Sequence, residues 1–248
     1  MQSIRFENVS VSFQNQNIIE NFSHPFALGK VTAIIGPSGA GKSTIIKLAN
    51  ASMQPTSGSI YINEKNINEY NPIQIKRQMG YAIQNAGLFP HMRVSENISA
   101  IAKLEKWPKT KIDDRMKELA SAMRLPEHLL HKYPHQISGG EAQRAALCRA
   151  VFLNPPVLLL DEPFSALDAP VKREIHNYFQ QLQLHEKRTV ILVTHDLREA
   201  IKLADYILVL NQKGKEFYDH KKNLDELKKT TFFRNTQSAE DITDNDFF

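Results

Sequence analysis

The chain has 248 residues, 42% hydrophobic and 23% charged, which is enough apolar material for one large core and too much for a disordered chain. Its 31 Lys and Arg against 27 Asp and Glu leave a net charge of +4 with both signs interspersed, too slight an excess to argue for a nucleic-acid partner. The densest apolar stretches, Val157–Leu160, Val190–Val193 and Tyr206–Leu210, have strand length and fall far short of the ~18 residues a membrane-spanning helix needs.

At the N-terminus, Arg5 and Glu7 arrive before any apolar h-region, so no secretory signal is expected. The single cysteine, Cys148, cannot form an intrachain disulfide, and a reducing, cytoplasmic setting is the natural expectation. Ile4 and Phe6 alternate, then Val9, Val11 and Phe13 alternate in the opposite phase, as two short strands or one bulged strand would. Val31–Ile35 reads as a buried strand that stops at Gly36, with a glycine-rich loop and a helix from Lys42 to about Asn50 behind it. Pro55–Gly58 is turn chemistry and Ile60–Ile62 a short strand. Residues from about 95 to 152 are mostly helical, with Ile112, Met116, Leu119, Ala120 and Met123 at offsets 0, 4, 7, 8 and 11 on one face. After Pro155-Pro156 the pattern runs strand (157–160), helix (170–184), strand (189–193), helix (197–203) and strand (206–210), the signature of crossovers on a mostly parallel sheet. Lys213–Arg234, with seven basic and four acidic residues, is expected to be a solvated helix, and Asn235–Phe248, with four acidic and no basic residues, a frayed tail.

Gly36-Pro37-Ser38-Gly39-Ala40-Gly41-Lys42-Ser43, followed by Thr44, matches G-x-x-x-x-G-K-[ST] in the context that gives the pattern meaning, between a buried strand and a helix. Glycines let backbone N–H groups close around phosphate, Lys42 would reach the β- and γ-phosphates, and Ser43 would ligate Mg²⁺. The loop alone leaves kinases, GTPases and motor ATPases open. Val157–Leu160 delivers Asp161 and Glu162 to the C-terminal end of a strand, where ligands of open α/β sheets bind. Asp161 would hold Mg²⁺ and Glu162 would polarise the attacking water, although an acidic turn closed by Pro163 is also ordinary surface chemistry. In Ile137-Ser138-Gly139-Gly140-Glu141, Ser138 and Glu141 form a capping box, and the same helix N-terminus presents N–H groups to an anion.

This last segment, between a phosphate loop and an Asp-Glu strand, resembles the signature motif of ATP-binding cassette (ABC) ATPases. The family pattern is Leu-Ser-Gly-Gly-Gln; here Ile137 replaces the leucine and Glu141 the glutamine, which adds a negative charge near the expected phosphate. The resemblance extends to Gln84 as the Q-loop glutamine, a contact to Mg²⁺ and a relay to a membrane partner. It also makes Ser165-Ala166-Leu167-Asp168 the D-loop, His195 the switch histidine at the γ-phosphate, and Phe13 the aromatic that stacks on adenine; for a lone strand aromatic such as Phe13 the lesser alternative is a core residue. It implies a P-loop NTPase α/β core with a mostly parallel sheet, an N-terminal antiparallel β subdomain and an inserted helical subdomain at about 88–155. The ATPase domain would cover 1–225, and 226–248 would be a partly disordered tail.

What the family implies is two copies paired head to tail, each ATP held between one copy's phosphate loop and the other's Ser138-Gly139-Gly140 helix. In that scheme Glu162, His195, Gln84 and Lys42 are catalytic, and Ser43, Gln84 and Asp161 meet Mg²⁺. A single cassette without a membrane span requires separate permease subunits, with a substrate-binding protein for an importer, at the cytoplasmic face of the plasma membrane. Gly87-Leu88-Phe89-Pro90 reads as a small satellite core or as a socket for a permease helix. Pro55–Gly58, Tyr81–Gln84, Trp107-Pro108-Lys109 and Tyr133-Pro134-His135 resemble importer ATPases for osmoprotectants (glycine betaine, carnitine, choline), whereas Ser165–Pro170 and Lys172–Glu174 resemble those for oxyanions such as molybdate. The additional C-terminal regulatory domain of many osmoprotectant ATPases is not expected here. A non-transport ABC ATPase is the remaining alternative; Lys42 and Ser138 are only 96 residues apart, which leaves no space for the long coiled coil of repair-type members.

Overall fold

The two phases of the N-terminal alternation are one strand, β1 (Ile4–Phe13), in which Ile4, Phe6, Val9 and Val11 are all buried. The computed structural model, which describes residues 3–14, 16–211 and 214–219, puts the phase change at Asn8, whose φ is 48°, with register slips on either side of Val9. One bulged strand thus keeps Ile4 and Phe6 inside together with Val9 and Val11. It pairs antiparallel with β2 (Gln16–Phe26) and β4 (Ser57–Ile62), which in turn pairs with β5 (Lys65–Asn66). Gly58 makes the irregularity possible: its φ is 85°, and a Cβ there would lie 2.3 Å from the Asn8 carbonyl oxygen. Strand β2 carries little sequence signal because Gln16, Asn17, Glu20 and Asn21 interrupt its apolar pattern. Phe6 nevertheless packs edge-on to Phe22 and Phe26 of that strand, at ring centroid distances of 5.4 and 5.8 Å.

By chain contacts the protein divides into two units, Met1–Lys76 with Arg188–Phe248, and Arg77–Lys187. Besides the antiparallel sheet, the first unit holds β3 (Val31–Ile35), flanked in parallel by β8 (Thr189–Val193) and β9 (Tyr206–Asn211). All five residues of β3 and of β8 are buried, as continuous apolar runs in parallel sheets should be. Helices α1 (Lys42–Ala49) and α7 (Leu197–Leu203) follow β3 and β8. The helix expected over Lys213–Arg234 is corrected at its start: Gly214–Asp219 is a strand, β10, antiparallel to β9. Its charge pattern looked solvated, but Phe217 and Tyr218 favour an extended backbone once β9 offers a ladder. The remainder of that segment and the tail at 226–248 lie outside the described residues.

In the second unit β6 (Met79–Ala82) and β7 (Val157–Asp161) run parallel, with Ala82 opposite Leu160. Gly80 weakens β6 as a sequence signal, yet it is there for contact: a Cβ would sit 2.1 Å from the Ala150 carbonyl oxygen. A short helix, α2 (Pro72–Gln78), which ends just past the boundary at Lys76, precedes β6 in the chain. The helical stretch consists of α3 (Val94–Leu104), α4 (Lys109–Ala122) and α5 (Gly139–Val151), and α6 (Ala169–Glu186) follows β7. On the predicted face Met116, Leu119, Ala120 and Met123 are buried and Ile112 is half-buried. Cys148, fully buried in α5 with its thiol pushed up to about 12 by burial, is a packing residue.

Candidate functional site

In the first unit the chain leaves β3 through a loop whose glycines adopt conformations other residues resist: φ is 150° at Gly36, 81° at Gly39 and 88° at Gly41. Gly36 also lacks space, since a Cβ would stand 2.2 Å from the Leu210 carbonyl oxygen. A Cβ on Gly41 would meet Ile19 Cγ1 at 3.0 Å and the Ile18 carbonyl oxygen at 3.1 Å, so the β1–β2 hairpin packs beside the loop. Pro37, Ser38 and Gly39 are exposed. Lys42 Nζ donates to the carbonyl oxygens of Gly36 and Pro37 at 2.8 and 2.9 Å, folding the ammonium over the loop. Ser43 and Thr44 lie in the first turn of α1, which carries no acidic side chain. This is a nest of N–H groups with a cation at its rim, a concavity for an anion.

The parallel pairing of β3 with β8 brings a histidine to the same sheet edge. Ile34 lies opposite Val193, the Thr194 N–H donates to the Ile34 carbonyl at 3.3 Å, and His195 follows, exposed. The turn around it is braced: Thr194 Oγ1 donates to Glu199 Oε2 at 2.6 Å, and Asp196 caps α7 by accepting from Arg198 N at 2.9 Å. Phe13, at the open end of β1, is 64% exposed, which removes the core alternative.

The second unit supplies carboxylates. Because β6 and β7 are in parallel register, two residues past the Ala82–Leu160 pair fall Gln84 and Glu162, and Gln84 Nε2 donates to Glu162 Oε2 at 2.9 Å. Glu162 sits at φ 48°, a left-handed conformation that costs a non-glycine residue roughly 1–2 kcal/mol and tends to persist where function demands it. Its carbonyl accepts from Ser165 Oγ at 3.0 Å and Gln143 Nε2 at 3.4 Å. Asp161, the last residue of β7, is only 5% exposed. Burial pushes the nearby Tyr81 phenol up to about 12, with the Asp161 charge adding to the effect.

Ser138 caps α5. Its Oγ accepts from Glu141 N at 3.3 Å and its N–H donates to Glu141 Oε2 at 2.7 Å. That backbone hydrogen bond, helped by the Ser138 hydroxyl, Arg144 and Lys132, holds the Glu141 carboxyl below the usual range, against the opposing effect of burial. The two glycines differ. A Cβ on Gly140 would touch the Ala166 carbonyl oxygen at 3.0 Å, whereas one on Gly139 would meet nothing within 4 Å. Gly140 answers to packing; the fold asks nothing of Gly139, which is exposed beside exposed Ser138. Asp168 accepts from Val171 N at 3.2 Å and caps α6.

Two residues were invisible in the sequence motifs. Arg149, on α5, donates to the carbonyl oxygens of Gly87 and Ala86 at 2.8 and 2.9 Å, tying the segment after Gln84 to the helix that Ser138 caps. Asn97, fully buried, accepts from Phe89 N at 2.6 Å and donates to the carbonyls of Phe89, Met92 and Arg93 at 3.1, 3.0 and 3.2 Å. Between these clamps Phe89 is held 47% exposed. No spacing rule marks an arginine that satisfies carbonyls 62 and 63 residues earlier, or an asparagine that bonds back to carbonyls just before its own helix turn. A shallow cavity of about 550 Å³ lined by Leu125, Pro126, Arg144, Pro170 and Val171 contains none of the residues assigned to the site.

No described helix is long and apolar enough to cross a membrane. The ABC transporter family model matches residues 19–165. The chain is 41% identical over 208 residues to the glycine betaine/carnitine/choline transport ATP-binding protein OpuCA of Bacillus subtilis, a match covering 84% of this chain and 55% of that protein. It is 39% identical over 208 residues to the glycine betaine uptake system ATP-binding protein YehX of Escherichia coli, covering 84% and 68%. The chain therefore spans about half to two-thirds of these relatives' lengths. Among solved structures it is similar to the ATP-binding cassette MJ0796, described as dimeric and bound to ADP and Pi after hydrolysis, with a TM-score of 0.80, 27% identity, and coverage of 86% of this chain and 97% of that one.

Proposed function

The chain belongs to the ABC transporter family, and from that premise we propose that it is the ATP-hydrolysing subunit of a transporter, working as a head-to-tail pair of copies and driving permease subunits that it binds peripherally at the cytoplasmic membrane face. The observation that carries this reading is the hydrogen bond from Gln84 to Glu162, which joins a nucleotide-sensing position to the general base through the register of two parallel strands.

Phosphate binding falls to the nest at Gly36–Gly41, to Lys42 and to the start of α1 at Ser43 and Thr44, and adenine stacking to Phe13. Among the described residues no group of three or more His, Cys, Asp or Glu could hold a metal, so Mg²⁺ at Ser43, Gln84 and Asp161 would need phosphate oxygens to complete its shell. When bound, the ion neutralises charge on those oxygens. Glu162 takes a proton from the attacking water as its oxygen bonds to the γ-phosphorus; the bond from that phosphorus to the β–γ bridging oxygen breaks, giving ADP and phosphate. His195 contributes a donor to the γ-phosphoryl oxygens.

The exposed Ser138 and Gly139 support the pairing of copies, since a glycine that its own fold does not require is explained by something approaching from outside. Asp168 would line the same seam. The dimeric state described for MJ0796 supports this arrangement. The clamped, half-exposed Phe89 supports docking of a permease helix on the 87–92 segment. Resemblance to two betaine-linked relatives favours an osmoprotectant importer, served by a substrate-binding protein. Glu162→Gln tests the core of the reading: it should lower hydrolysis by roughly 10²- to 10⁴-fold while ATP drives the protein into a stable dimer. Hydrolysis at the unmodified rate would remove Glu162 from the base role. Permease subunits that co-purify from detergent-solubilised membranes, and uptake of betaine rather than an oxyanion, test the transport assignment.

A further inference from the structure

Resting on that reading, we propose that Glu141 sets the threshold for closing the pair of copies, because its carboxylate holds the Ser138 hydroxyl hydrogen that a terminal phosphate would otherwise receive. Ser138 Oγ lies 2.9 Å from Glu141 Oε2. An ionised carboxylate can only accept, so the hydroxyl is the donor in that bond. The same Oε2 takes the Ser138 N–H at 2.7 Å, and Oγ in turn accepts from Glu141 N at 3.3 Å. A serine has one hydroxyl hydrogen. With it committed to Glu141, Ser138 faces an incoming phosphate with lone pairs, and must break a charge-assisted bond before it can donate.

Arg144 and Lys132 face Glu141 and favour its charged form, which keeps the bond in its strong state. A glutamine of the same shape could keep the cap, accepting through its amide oxygen, but a neutral acceptor holds a hydroxyl with about half the strength. Glu141 is thus a positioning residue for Ser138, and its charge raises the nucleotide concentration at which copies pair.

The test uses the full chain carrying Glu162→Gln, so that hydrolysis does not consume the nucleotide, and reads dimer formation against ATP concentration by sedimentation velocity. Adding Glu141→Gln should lower the ATP concentration for half-maximal dimer by roughly tenfold, as a charge-assisted bond becomes a neutral one. A purely structural capping role predicts the opposite sign, because the neutral side chain caps less strongly; the melting temperature should hold or fall slightly while pairing improves. In a Ser138→Ala background the same substitution should move the midpoint by less than about twofold, since no hydroxyl remains to be released. A midpoint that Glu141→Gln leaves in place or raises overturns the proposal, and so does a tenfold gain that survives Ser138→Ala. If the Glu162→Gln chain does not pair with ATP at all, it is the underlying assignment of function that fails.

Discussion

Arg149→Met removes a guanidinium while keeping a long side chain, and its effect can be worked out from two contacts. The hydrogen bonds to the Ala86 and Gly87 carbonyls, at 2.8–2.9 Å, join a charged donor to one buried and one exposed residue. Burial lowers the Arg149 pKa, but not enough to discharge it. Ala86 and Gly87 both have positive φ, 57° and 55°, so the tethers restrain a turn that is uphill by itself. With each bond contributing on the order of 1–1.5 kcal/mol net, the turn should lose about 2–3 kcal/mol of local stability. Amide hydrogen exchange across residues 84–92 should then accelerate roughly 30- to 150-fold, since 1.36 kcal/mol is a factor of ten. Ser138 lies on the other end of α5, so the same variant should hydrolyse ATP yet fail to transmit the cycle, reducing uptake in the assembled transporter more than ATPase activity. Unchanged exchange in 84–92 would refute the tethering argument outright. Acceleration spread evenly over the whole chain would show that Arg149 supports global rather than local stability.

Three other perturbations separate local demands. Phe13→Ala should leave thermal stability within about 0.5 kcal/mol, because the ring is largely in solvent, while ATP affinity falls roughly tenfold through lost stacking, measured by fluorescent-nucleotide displacement. Gly36→Ala should unfold the loop or the protein, given a backbone oxygen 2.2 Å from the new Cβ; Gly39→Ala, with open space around it, should cost only the roughly 1–2 kcal/mol of a left-handed residue, and the two melting curves test the contrast. Tyr81 has a folded pKa of about 12 against an ordinary 10.0, so its neutral form is favoured by the fold. Its contribution is complete below pH 10.0 and declines as pH rises toward about 12. Tyr81→Phe should flatten that alkaline limb in a pH series of denaturation midpoints, and a limb of unchanged slope would count against it.

The phosphate loop, the Asp161–Glu162 strand and the Ser138 cap were legible in the chain because each is local: a loop that needs left-handed glycines, a buried five-residue strand and a capping box all write their chemistry within a few residues. The change of phase in the apolar alternation of β1 is legible too, but it fits two short strands as well as one bulged strand, and pairing with β2 and β4 decides for the bulge. Charge patterning alone does not reveal the neighbouring ladder that makes β10 a strand, and β2 and β6 carry little strand signal because polar residues and a glycine interrupt them. What tertiary structure alone decided is which distant groups meet. Gln84 reaches Glu162 only because two strands are parallel in a particular register, and Arg149 reaches the Gly87 and Ala86 carbonyls 62 and 63 residues earlier only because α5 packs beside them. Hydrogen bonds are satisfied by proximity in space, and proximity is settled by burial of the strands between them rather than by any residue's immediate neighbours.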